Sequence, residues 1–305
     1  MYDFLINEGV PKDLCRAAEN WAAAHPAAEG QKNRIPQPYY RYYGEKIWEA
    51  ALTALLCGKN LLLVGGKASG KNVLAENLAL ALGRPAWNIS FHINMDAAGL
   101  IGTDTLESGE VVFRPGPVYQ CAEYGGFGIM DEVNMAKNEA MAVLHSVLDH
   151  RRVIDVPGYH RIELKEETRF IATMNYGYAG TRELNEALTS RFAVIRMPVI
   201  SEDNLNRLID DEFPQMGKRY RTLFVSLFFD IYKKSSNGEI STRTMDLRGL
   251  IDALHMISHG LDVRTALDMG IANKTFDDYE RNLVQDIIKS RIPSALTGGA
   301  VFDSL

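Results

Sequence analysis

Cysteine is scarce in this 305-residue chain: Cys15, Cys57 and Cys121 stand far apart and form no paired motif. That leaves no paired-cysteine framework and fits reduced thiols in a cytoplasmic protein. No apolar run approaches the roughly 20 residues of a membrane-spanning helix, so membrane insertion is not expected. Residues 1–13 lack a basic stretch followed by an apolar one, so no secretion signal is expected. Basic charge is not in excess. The 33 Lys and Arg against 39 Asp and Glu give a net −6, which argues against a broad nucleic-acid surface while leaving room for a local basic pore. Repeats and low-complexity tracts are absent too.

What is present is enough apolar residue, 46%, to bury a sizeable core. The length allows one large domain and a smaller one. Residues 1–45 read as an extension with one helix over 11–24, followed by a segment rich in Pro and Tyr. Pro36 and Pro38 disfavour helix there. Residues 46–200 alternate strand and helix patterns. Runs at 60–65, 87–91, 127–130, 169–174 and 193–197 read as short strands, several apolar throughout, as strands covered on both faces are. Between them 71–82 reads as a helix, with Leu74, Leu78, Ala81 and Leu82 at helical spacing. The expected fold class is α/β, a mainly parallel sheet sandwiched by helices. From 201 to 305 strand patterning stops, and 223–231, 245–254 and 279–288 read as helices of a small lid domain.

The first strand leads into a glycine-rich loop that fits G-x-x-x-x-G-K at Gly65, Gly70 and Lys71, and the loop opens a helix. Glycine lets the backbone curl so that successive N–H groups face one anion, and the helix N-terminus adds partial positive charge. Lys71 has the length to reach β- and γ-phosphates. The phosphate cradle is assigned to Gly65, Gly66, Ala68, Ser69, Gly70, Lys71, Asn72 and Val73. Asn72 departs from the pattern, standing where Ser or Thr normally meets Mg²⁺. A plain glycine-rich turn is the alternative reading.

About 60 residues downstream, the apolar run at 127–130 ends in Asp131 and Glu132. A strand delivering both carboxylates to the phosphate edge would let Asp131 hold Mg²⁺ and Glu132 act as general base on water. Alone, such a pair is an ordinary solvated strand end; together with the loop it is informative.

Beyond these two motifs, residues 91–96, 100–105, 113–119, 131–145 and 172–192 resemble the MoxR group of AAA+ ATPases, within the wider dynein-related circle. The similarity spans roughly 46–290. It implies ATP bound with Mg²⁺ at the seam between subunits of a homo-oligomeric, hexameric ring that remodels a protein. Asn175 matches the polar residue called sensor 1, ending a strand between the loop strand and the acidic strand, where it would orient the attacking water. Arg191 matches the arginine finger offered to a neighbour, with Arg182 and Arg196 as nearby rivals. Arg243 matches sensor 2, near the start of a helix, with Arg248 as runner-up. The resemblance also implies an insertion over 97–119 carrying a hairpin that turns at 108–110, and a second hairpin over 153–164 turning at 157–159. It implies a protein client or adaptor, such as one with a von Willebrand A domain.

Two other functions share the loop. A P-loop small-molecule kinase would not need Asp131–Glu132, a finger at Arg191 or a lid bearing Arg243. A non-hydrolysing nucleotide-gated scaffold is favoured by Asn72 and opposed by Glu132 and Arg191. His255 and His259, four apart, read as a solvated helix face, because the Glu of H-E-x-x-H is missing. Tyr39, Tyr40, Tyr42, Tyr43 and Trp48 read as an aromatic packing patch, with a place near adenine as the alternative.

Overall fold

The structure, a computed structural model, describes residues 1–155, 161–176 and 184–302, with the backbone alone at Glu139. The chain divides into two compact units, one of Met1–Gly66 and Gly70–Pro198, the other of Lys67–Ser69 and Val199–Leu305.

The first unit opens with α1 (Tyr2–Asn7), α2 (Lys12–Ala24) and α3 (Glu45–Leu56), then β1 (Asn60–Val64), α4 (Lys71–Ala81) and β2 (Ala86–Ser90). It continues with α5 (Ala97–Ile101), the hairpin β3 (Gly102–Glu107) and β4 (Glu110–Pro115), α6 (Pro117–Tyr124) and β5 (Phe127–Asp131). Next come α7 (Asn138–Met141), α8 (Leu144–Leu148), β6 (Val153–Ile154), β7 (Ile162–Glu163), β8 (Arg169–Met174), α9 (Glu186–Thr189) and β9 (Phe192–Arg196). The main sheet runs β2-β5-β8-β1-β9, all pairings parallel. The parallel, helix-covered sheet expected from the apolar strand runs is therefore the fold observed.

β1 shows why. All five of its residues are buried. Alternate side chains of a strand leave opposite faces. Leu61 and Leu63 accordingly join one core with Trp48, Leu52, Leu74 and Leu78, while Leu62 and Val64 join the other with Trp87, Ile89, Val118 and Phe170. Burying each such aliphatic side chain contributes roughly 1.5–3 kcal/mol, so a strand with two apolar faces is stable only between two helical layers.

Residues 1–45 belong to the same compact unit as the sheet. Leu5, Val10, Cys15 and Ala18 enter the same core as Leu61 and Leu74, and the Tyr2 hydroxyl donates to the Ala81 carbonyl at 2.6 Å. The six-residue α1 was not expected from patterning; it is too short to show a full helical period. The insertion forms the expected hairpin, with Ser108 and Gly109 both at positive φ (52° and 88°), the left-handed pair that matches strand twist in a tight turn. For the second hairpin Val153 pairs with Glu163 and Ile154 with Ile162; its turn at 157–159 lies outside the described residues.

The second unit holds α10 (Glu202–Glu212), α11 (Lys218–Ser236), α12 (Leu247–Ser258), α13 (Val263–Gly270), α14 (Asp278–Arg291) and α15 (Gly298–Val301). α12 and α13 touch backbone to backbone: a Cβ on Gly249 would lie 2.0 Å from the Gly270 carbonyl oxygen, and one on Gly270 would lie 2.2 Å from that of Gly249. His259 is exposed, as expected of a solvated face, while the partly exposed His255 has Nε2 2.9 Å from a Glu212 carboxylate oxygen and its ring against Phe213. Among the described residues no helix is long and apolar enough to cross a membrane.

Candidate functional site

In a parallel sheet every strand ends on the same edge, so β1, β5 and β8 bring their C-terminal residues together. From β1 the chain enters the glycine-rich loop, with Gly65 N donating to the Met174 carbonyl at 3.2 Å. Gly70, at φ +72°, is the left-handed N-cap of α4. No side chain caps that helix and its first turn holds no acid, which leaves the positive end of the helix without local neutralisation. Lys71 is the first helical residue. It is 9% exposed, and its Nζ donates to the Gly65 and Gly66 carbonyls, each at 2.9 Å. Burial pushes the Lys71 ammonium down to about 8, against the upward pull of Asp131 and Glu132. A cation that has lost its water and faces two carbonyls gains from any anion that enters the loop.

The loop tip, Lys67–Ser69, belongs to the second unit. There Ile200 N donates to the Ala68 carbonyl at 3.3 Å and Lys67 Nζ to the Thr242 carbonyl at 3.0 Å.

β5 delivers the acidic pair, and β8 supplies its partners. The Thr173 hydroxyl donates to Asp131 Oδ1 at 2.6 Å and accepts from Glu132 N at 3.1 Å. Asn175 Nδ2 donates to Glu132 Oε1 at 3.0 Å, and Asn134 Nδ2 donates to the Asn175 carbonyl at 2.9 Å. Glu132 itself has φ +54°. A non-glycine residue in that left-handed region costs roughly 1–2 kcal/mol, and here the turn swings its carboxylate onto the Asn175 amide.

Sequence reasoning places Asp131, Glu132 and Asn175, and the structure brings the last two into direct hydrogen bonding. It misses Thr173 and Asn134. The signals were there: Thr173 is a polar residue in an apolar strand, 1% exposed, and Asn134 follows the acidic pair, 3% exposed.

Arg191 lies between α9 and β9. Its Nε donates to the His145 carbonyl at 3.2 Å, one terminal nitrogen donates to the Ala187 carbonyl, and the other lies 3.7 Å from Asp149 Oδ2. None of these partners is a loop, acidic-pair or Asn175 residue. Arg182, a rival in the sequence, lies outside the described residues. Arg243 is exposed and sits four residues before α12, in a turn in which its N–H donates to Ser241 Oγ at 3.3 Å and Thr244 Oγ1 to the Ser241 carbonyl at 3.0 Å. Asp246 caps α12 by accepting from Arg248 N at 3.1 Å. Arg243 therefore stands in the turn ahead of the helix, near its start but outside it.

For a divalent cation the residues offer hard oxygen donors: Asp131, held by Thr173, and the half-buried Asn72 amide. Among the described residues no group of three or more His, Cys, Asp or Glu could hold a metal alone. That set fits Mg²⁺, which takes one or two carboxylates and fills its shell with phosphate oxygens and water.

A family model described as the AAA domain of the dynein-related subfamily matches residues 60–192, the stretch from β1 to the start of β9. The chain is 34% identical over 256 residues to the uncharacterized protein YojN of Bacillus subtilis strain 168, covering 82% of this chain and 84% of that one. It is 31% identical over 258 residues to an uncharacterized protein of Staphylococcus aureus strain USA300, covering 82% and 97% respectively. A crystal structure of a protein from Cytophaga hutchinsonii aligns over 91% of this chain and 96% of its own, at 15% identity and a TM-score of 0.46.

Proposed function

The chain belongs to the dynein-related subfamily of AAA-domain proteins, and from that footing we propose that it binds ATP with Mg²⁺ and hydrolyses it at a site shared between copies of itself. The observation that carries this reading is the hydrogen-bonded set Asp131–Thr173 and Glu132–Asn175, on the same sheet edge as the loop that holds Lys71. A solvated acidic strand end needs no such set.

Each residue then has a chemical task. The loop backbone and Lys71 bind the β- and γ-phosphates. Asp131 and the Asn72 amide are the residues that would hold Mg²⁺, which when bound neutralises phosphate charge. Glu132 takes a proton from water as that water attacks the γ-phosphorus, and Asn175 fixes the carboxylate that does so. Arg191 supplies positive charge to the γ-phosphate of a neighbouring copy, which makes hydrolysis depend on assembly. The role of Arg243 as a second sensor rests on the MoxR resemblance. So do the hexameric ring and the protein client or adaptor with a von Willebrand A domain, whereas the cytoplasmic location rests on the three scattered cysteines.

Phosphate release measured against protein concentration tests the shared site: specific activity should rise as copies associate. Activity that is constant down to the monomer would end this reading. Asn72 favours a second one, a nucleotide-gated scaffold that does not hydrolyse. Tight ATP binding without phosphate release at any concentration, with the protein partner present, would decide for it.

A pH titration tests Lys71. In the free protein the ammonium is protonated below about 8 and neutral above. Phosphate raises its pKa in the complex, so binding takes up a proton above that value. ATP affinity should be level below pH 8 and fall by about tenfold per pH unit above it. Equilibrium titrations from pH 7 to 9.5 that give a flat line would remove Lys71 from the phosphate contact.

A further inference from the structure

Tyr42 is wedged against the phosphate loop. Its ring lies between two glycines: a Cβ on Gly70 would stand 3.1 Å from Cδ2 and Cε2, and one on Gly44 would stand 3.1 Å from Cε1, on the other edge of the ring. The residue is 8% exposed. Its carbonyl accepts from Trp48 Nε1 at 2.8 Å, and the two rings meet edge to face with centroids 6.5 Å apart.

The segment carrying Tyr42 is also fastened to the helix that the loop opens. Asn77 of α4 donates its side-chain amide to the Tyr40 and Val73 carbonyls, both at 2.8 Å. Asn77 is fully buried and its Oδ1 has no hydrogen-bond partner among the described residues. Turning the amide over would set that oxygen against two carbonyls, so the fastening has one orientation.

Glycine populates both signs of φ about equally, so Gly70 does not choose its own left-handed state. What touches it chooses. Among the described residues, apart from its chain neighbours and its own helix, the only heavy atoms within 4 Å of the Gly70 Cβ position are the two Tyr42 ring carbons. The ring fills the space in which a side chain at residue 70 would stand.

We infer that Tyr42 is a positioning residue: it holds Gly70, and with it the mouth of α4, in the anion-binding form before nucleotide arrives. This deepens the nucleotide-binding reading above. A packing patch alone would stabilise the fold and leave the loop indifferent to it.

The test uses the full chain as Tyr42→Ala, Tyr42→Phe and Leu52→Ala, the last cutting the same core at a residue of α3 that is not among the atoms found against Gly70. Two measurements are made: ATP affinity, and hydrogen exchange of residues 70–72 without nucleotide. For Tyr42→Ala the expected outcome is affinity lower by about tenfold, as for a loop competent about a tenth of the time, and faster exchange at 70–72. Tyr42→Phe should match the native chain in both. Leu52→Ala should lower the melting temperature and change neither. If Tyr42→Ala does not fold, Tyr42→Leu, which fills volume without a flat ring, takes its place with the same expectation. Affinity within twofold of native with unchanged exchange, or equal effects from Leu52→Ala, would overturn the inference. A native chain that binds no ATP, while its Tyr42→Ala form still loses protection at 70–72, would sink the nucleotide reading and support the clamp.

Discussion

Arg191→Ala should abolish phosphate release from the assembled protein by about 10³-fold or more, with ATP binding to the isolated chain unchanged. The expectation follows from a finger supplied in trans, worth about 10³–10⁵ in rate, or roughly 4–7 kcal/mol of barrier. Stability should change far less. In its own chain Arg191 donates to the backbone carbonyls of His145 and Ala187 and approaches Asp149. Two such hydrogen bonds at the rim of α9 contribute about 1 kcal/mol each, so the variant should fold. The same contacts also describe the competing role, a plain helix-end arginine, and the two predict different results. A helix cap would lower the melting temperature and leave turnover proportional to folded protein. Arg191→Lys separates charge from shape: it keeps the charge but loses the planar fork that grips phosphate, and should recover little.

Glu132→Gln should bind ATP and fail to hydrolyse it, with turnover down by about 10²–10⁴ if the carboxylate is the general base. The substitution is gentle on structure, because a Gln amide oxygen can still accept from Asn175 Nδ2, the bond that now spans 3.0 Å. It also removes one of the two negative charges that hold the Lys71 pKa up. The pH above which ATP affinity falls should therefore move below its native value, a readout independent of turnover. Mixing the Glu132→Gln and Arg191→Ala chains should restore some activity, since about a quarter of junctions in an equal random mixture pair an intact glutamate with an intact arginine. Activity that stays absent in the mixture, beside an unshifted pH profile, would mean that Glu132 faces neither the water nor Lys71.

Some of this site was legible before any coordinates. Gly70-Lys71 after an apolar strand, and Asp131-Glu132 at the end of another, are readable because each lies in one short stretch with a required order. β1 and β5 were the most legible strands because they are buried on both faces and so nearly apolar throughout, as at Leu61, Leu62 and Leu63. What the Thr173 hydroxyl and the Asn134 amide bond to was not legible. Their partners lie 42 and 41 residues away along the chain, and no local pattern encodes a hydrogen bond between two strands. Tyr42 was read as packing for the same reason: its neighbour Gly70 is a sequence stranger to it.

The sequence by itself determined the alternation of strands and helices, the loop that can face a phosphate and the carboxylates that can serve it. These follow from residue type and spacing within one element, where the physics is local. The family resemblance already implied that β8 lies between β1 and β5, as it does; only tertiary structure decided that Glu132 turns left-handed onto Asn175, and that an aromatic ring from before α3 bears on Gly70. Each depends on side chains far apart in the chain meeting at a few ångströms, and that meeting is fixed by burying both faces of the sheet at once.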